Sequence, residues 1–224
     1  MEINQWAESL TKKVFDEWKN KFSFWNDGFK VFYSPVRLNP KVMIISYNPG
    51  GNRSSFESED YNRFLIDDFS SPKANLYIIK NYLMANKMKD FFQDSVDELE
   101  QSVVFPVIFF RSKNKRYWRQ FFPNEKRILA EQFCFEIVKE IITTIKPKKL
   151  LIIGFETLDI LQKHVTGKLE SIEIKSVNYG KNNERLYQLL KLKDIPVFVI
   201  RHPTGSRIRK QDWLQIKKRY MKLA

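Results

Sequence analysis

Four short and mostly apolar runs divide this chain, at residues 42–45, 103–110, 149–153 and 195–200. Runs of this length, bounded by turn-forming residues, are typical of strands buried on both faces. Between them lie stretches with helical spacing. Residues 4–20 carry Trp6, Leu10, Val14, Phe15 and Trp18 on one face. Similar patterns cover 61–69, 74–92, 125–145, 156–164 and 210–222. Buried strands alternating with helices need a parallel sheet covered on both sides. The expected fold is α/β: a three-layer α/β/α sandwich with a central, mainly parallel four-stranded sheet. Residues 29–33 read as a short strand or extended lead-in, and Pro106 marks a bulge or break in the second run. The 224 residues fit one domain spanning 1–224, with 1–28 as an N-terminal helical extension.

Parallel sheets bind ligands beyond the carboxyl ends of their strands. The three most unusual loops of this chain, after Ile45, Phe110 and Ile200, all leave such ends. The first, Ser46-Tyr47-Asn48-Pro49-Gly50-Gly51-Asn52, must turn sharply, because Pro fixes its φ and Gly accepts angles that other residues avoid. It can arrange a side-chain amide and backbone N–H groups around one ligand, or serve only as a βα turn. The second, 111–116, is strongly basic. The third, Arg201-His202-Pro203-Thr204-Gly205-Ser206-Arg207, offers an imidazole able to stabilise a developing oxyanion.

Composition narrows the partners. Lys and Arg number 39 against 26 Asp and Glu, a formal charge of +13, which favours polyanions and places DNA first. Hydrophobic residues make up 43% of the chain, enough for a substantial core. Cys134 is the sole cysteine and the 2 histidines stand far apart, so no zinc site, iron–sulfur cluster or other cofactor is expected. No run has the length and apolarity of a membrane span, and Trp6, Glu8 and Lys12 interrupt any leader-like segment. A cytoplasmic monomer is expected.

A buried strand followed by Tyr47-Asn48-Pro49-Gly50, with a later one followed by His202-Pro203-Thr204-Gly205-Ser206-Arg207, resembles the two signature motifs of the uracil-DNA glycosylase superfamily. The Asn-Pro-Gly form is similar to the mismatch-specific and single-strand-selective branches. Residues 149–154 and the helix after them also resemble the superfamily's third strand and its helix.

The resemblance implies hydrolysis of the N-glycosidic bond of a uracil or related base rotated out of DNA. Asn48 would position the attacking water and His202 would stabilise the departing base. Tyr47, Pro49 and Gly50 would hold the base edge, with Tyr61 or Phe56 stacked on its face. Thr204, Gly205, Ser206 and Arg207 would enter the gap left by the base, and Lys113 and Arg116 would hold phosphates.

Two departures matter. Asn48 cannot act as a general base as a carboxylate can, so Asn48→Asp is expected to keep or gain activity. The 103–110 run also has no Asn where several branches read uracil, which leaves the base identity open. The alternative is a catalytically weak or inactive binder of modified or flipped bases on the same fold. A phosphate-binding nucleotide protein fits less well, because no Lys-Ser or Lys-Thr follows Gly50-Gly51 and GxGxxG is absent.

Overall fold

A computed structural model of the chain describes residues 1–205 and 207–223. Its centre is one mostly parallel sheet. The strands are β1 (Met43–Ser46), β2 (Val103–Pro106), β3 (Leu150–Ile153), β4 (Glu170–Tyr179), β5 (Asn182–Leu192) and β6 (Ile195–Ile200). Their order is β2-β1-β3-β6-β5-β4. The four apolar runs form the parallel block, with Met43 opposite both Val103 and Leu150, and Leu150 opposite Val197. Strands β5 and β4 extend it as an antiparallel hairpin beyond β6.

The sheet therefore has six strands rather than the expected four. The hairpin's outer strand sits at an edge, and its residues are exposed or half-buried, so it lacks a continuous apolar run. Strand β2 also stops at Pro106, short of residue 110. Beyond it the chain bends at Val107 and Ile108 but stays fully buried, with these two residues donating to the carbonyls of Ser46 and Tyr47. Residues 29–33 run alongside this segment without forming a ladder; Phe29 makes one antiparallel bridge to Phe110, and Tyr33 donates to the Val104 carbonyl.

Alternate residues of each strand enter separate cores. Met43, Ile45, Phe105, Ile152 and Val199 join one cluster with Leu10, Val14, Ile137 and Ile141 of the helices Ile3–Glu17 and Asn124–Ile145. Ile44, Val104, Leu151, Phe198 and Ile200 join the other with Met88, Phe91, Ile216 and Tyr220 of the helices Leu83–Phe91 and Lys210–Met221. Each fully buried aliphatic side chain contributes about 1.5–3 kcal/mol, so both faces hold the sheet in place. The N-terminal helix is thus part of the main core rather than an appendage, and the Trp6 indole donates to Glu140 at 3.0 Å.

One helical boundary differs in a way that affects the site. The stretch expected at 61–69 begins earlier, as Arg53–Phe56, then a wider turn Glu57–Tyr61, then Asn62–Phe64. Asn52 is the reason: its side-chain oxygen accepts from the Ser55 N–H at 3.1 Å, a helix N-cap within the glycine loop.

Candidate active site

A cavity of about 1060 Å³ opens at the carboxyl ends of the parallel strands. Register explains its position. Ser46 lies opposite Pro106 and Ile153 opposite Ile200, so the loops after these strands emerge together. Antiparallel pairing of Tyr187 with Ile200 brings the start of β5, with Glu184 and Arg185, to the same end. The cavity is bounded by Tyr47, Asn48 and Gly50 after β1, by Ser112–Arg116 after the buried 107–110 segment, and by His202, Thr204 and Gly205 after β6. Asn48 and His202 do not follow adjacent strands, because β3 lies between β1 and β6. Two strand spacings place these loops roughly 10 Å apart at their roots, room for a flat ring between them. Gly154 ends β3 beneath that gap at φ +92°, a conformation that side chains resist.

Asn48 is held by its amide nitrogen. Nδ2 donates to the Pro49 carbonyl at 2.9 Å, the Ser112 hydroxyl at 2.8 Å and the Ser112 carbonyl at 3.3 Å. Two carbonyl acceptors can face only the NH2 end of an amide, which fixes its orientation. Oδ1 accepts no hydrogen bond among the described residues and is free to hold a ligand or a water.

The loop carrying Asn48 is clamped from below. Arg111 is only 3% exposed, although the sequence places it in a basic surface loop. Its Nη1 donates to the Gly50 carbonyl at 3.1 Å, and its Nη2 to Glu59 at 2.6 Å and Asp60 at 2.8 Å. Lys30, also buried, donates to both Asp60 oxygens at 2.9 Å. Burial pushes the Glu59 carboxyl up, but Lys30 and Arg111 outweigh it and hold its pKa below the usual value. Burial lowers the Lys30 pKa despite Asp60 beside it.

His202 is fixed from the other side. Its Nδ1 accepts from the backbone N–H groups of Gly205 at 3.0 Å and Thr204 at 3.3 Å. An Nδ1 that accepts two N–H bonds carries no proton, so the neutral ring has its proton on Nε2. Burial, with Lys115 nearby, holds the pKa below the usual imidazole value. The result is a neutral Nε2–H donor in the cavity wall.

The aromatic residues expected to stack on a base lie elsewhere. Phe56 is 2% exposed and packs against Trp18 at 5.3 Å and Phe29 at 5.5 Å, inside the core. A Cβ on Gly28 would sit 2.2 Å from its ring, which shows how closely that wall fits. Tyr61 packs on Phe56 and Trp18 rather than on the cavity. The early start of the helix turns both rings toward the core. The cavity has its own aromatic end instead, formed by Tyr33, Tyr77 and Tyr82 with Met84. Tyr77 packs between the other two, tilted against Tyr33 at 5.9 Å and edge-on to Tyr82 at 6.2 Å. Burial raises the pKa of Tyr33 and Tyr77, so both remain neutral phenols.

No family model and no curated protein matches this chain.

Of the other expected site residues, Tyr47, Gly50, Lys113, Arg116, Thr204 and Gly205 line the cavity. Pro49 and Arg207 are not part of its lining, although Pro49 braces Asn48 through its carbonyl, and Arg207 is exposed. Ser206 lies outside the described residues. The wall carries five basic side chains, Lys113, Lys115, Arg116, Arg185 and Arg201, against Glu156 and Glu184. Both acids are taken: Glu156 pairs with Lys115 and Arg119, and Glu184 with Arg201. Lys113 and Arg116 make no salt bridge among the described residues, which leaves the rim positive. Arg201 also keeps one guanidinium nitrogen, Nη1, buried without a hydrogen-bond partner among the described residues, a donor suited to a ligand oxygen. Sequence reasoning assigned no role to Arg201 or the three tyrosines. Arg201 adjoins His202, but the tyrosines are dispersed over 50 residues and share no motif.

Proposed function

We propose that this chain is a DNA glycosylase-like protein that hydrolyses the N-glycosidic bond of a flipped-out uracil or related base. One observation carries the reading: Asn48 presents a free Oδ1 and His202 a neutral Nε2–H, each locked in orientation, in one cavity with a positive rim. An amide oxygen accepts a hydrogen bond from water and so aims its oxygen at C1′ of the sugar. The water oxygen then bonds to C1′, and the electrons of the C1′–N bond pass to the base. The water releases its proton to solvent. The leaving base gains negative charge on its carbonyl oxygen, where a preorganised N–H donor lowers the barrier most. A neutral imidazole does this without giving up its own proton.

Lys113 and Arg116 on the rim would hold phosphates, and the tyrosine end would receive the ring. In this reading the protein works as a single-domain cytoplasmic monomer, with its sheet and helices as a three-layer sandwich. DNA is its partner. The test is incubation with uracil-containing single- and double-stranded oligonucleotides, followed by alkali to cleave abasic sites. Strand cleavage supports the reading. Tight binding without cleavage favours a binder of flipped bases.

A further inference from the structure

Next to the cavity lies a second surface that shares Lys113 with the rim but whose aromatic rings the proposed chemistry does not use. The helix Lys115–Phe121 begins at the basic rim, where Lys115 and Arg116 line the cavity. One of its faces carries Tyr117 and Phe121, four residues apart, with ring centroids 4.6 Å from each other. Phe121 is 56% exposed, and Phe24, which packs on the neighbouring Phe122 at 5.2 Å, is 42% exposed. These rings are not simply unfinished core, because two lysines lie over them. The Lys113 ammonium is 5.7 Å from the Tyr117 ring and the Lys126 ammonium 4.5 Å from the Phe24 ring. Neither lysine pairs with a carboxylate among the described residues.

Two exposed rings, Phe24 and Phe121, with the half-buried Tyr117 between the helix and the core and two cations beside them, suit a strand whose bases are unpaired. The cations follow the phosphates, and each ring offers a face to a base without regard to its identity. A duplex keeps its base faces stacked on one another and offers only phosphates. An acidic protein partner would use the cations but gain little from rings presented next to a cavity. The helix advances roughly 9 Å from Lys115 to Phe121, so the surface begins within reach of nucleotides flanking one held in the cavity.

We infer that Phe24, Tyr117 and Phe121 form a stacking platform for single-stranded DNA, on which bases flanking the cavity rest. This rests on the reading of the chain as a DNA-binding protein but not on base excision.

The experiment measures binding of the full chain to a fluorescently labelled oligothymidylate and to a duplex of equal length, neither containing uracil. The single strand should bind more tightly at equal salt. Phe121→Ala and Phe24→Ala should each weaken single-strand binding roughly tenfold, the usual worth of one base–aromatic stack, and leave duplex binding unchanged. Phe121→Trp, which keeps a flat ring, should bind like the wild type. Equal single-strand affinity in the alanine variants, with unchanged melting curves, would overturn the proposal. A dimer in light scattering that Phe121→Ala dissociates would also overturn it, by assigning the surface to a second copy of this chain. Because no uracil is present, base release can fail elsewhere while this result stands. Absence of binding to any DNA would end both readings.

Discussion

The backbone N–H of Gly205 donates to Nδ1 of His202 at 3.0 Å and so decides which ring nitrogen carries the proton. A histidine held this way is a donor at neutral pH, and protonation would break the bond that orients it.

His202 should therefore titrate below the usual imidazole value, and nitrogen NMR should place its single proton on Nε2 at pH 7. The folded state binds fewer protons than the unfolded chain, whose imidazole titrates near about 6.5. The stability linked to this group is present above that pH and is lost as pH falls from it through the lower folded-state value. Base release should be level from about pH 7 upward and decline in the same acidic range. A proton found on Nδ1 at pH 7 would contradict the assignment.

Asn48→Asp changes expectation once the loop is seen. Sequence reasoning gives it retained or increased activity, because a carboxylate activates water better than an amide. The amide nitrogen, however, faces the carbonyls of Pro49 and Ser112. An aspartate oxygen there would meet two carbonyl oxygens with no proton between them. Compared with wild type at the same pH, the variant should lose more melting temperature at pH 8 than at pH 5, where a protonated carboxyl restores one donor. Its base release at pH 8 should be below wild type. An equal deficit from wild type at both pH values would show that the loop relaxes around the charge.

Arg111→Met should destabilise the protein by about 3–5 kcal/mol, the usual cost of leaving buried charges without their partner. Asp60 and Lys30 remain buried together, but Asp60 loses its second cation and Gly50 loses its anchor. Urea unfolding measures the stability loss, and base release reports on the freed loop. A change under 1 kcal/mol would mean that Arg111 behaves as the surface cation its sequence context suggests.

The contrast between these residues marks what the sequence makes legible. The strands β1, β2, β3 and β6 are readable because both of their faces are buried, which forces continuous apolar runs. The β4–β5 hairpin is not, since its outer strand mixes Glu170, Glu173 and Lys175 with exposed Ile172 and Ile174. The two cavity loops are readable because sharp turns need Pro and Gly. Arg111 deceives because its ion partners, Glu59 and Asp60, lie some fifty residues earlier in the chain. Phe56 and Tyr61 deceive because the Asn52 cap starts the helix early and rotates their rings into the core. The tyrosines at 33, 77 and 82 meet only through the tertiary fold.

Single-turnover base release from a uracil-containing oligonucleotide, with DNA affinity measured separately, tests the central claim. Wild type should release the base. Asn48→Ala and His202→Ala should each slow release by roughly a hundredfold or more, as loss of a preorganised transition-state contact does, while affinity changes little. Asn48→Ala releasing base as fast as wild type, or wild type releasing none, would contradict the account.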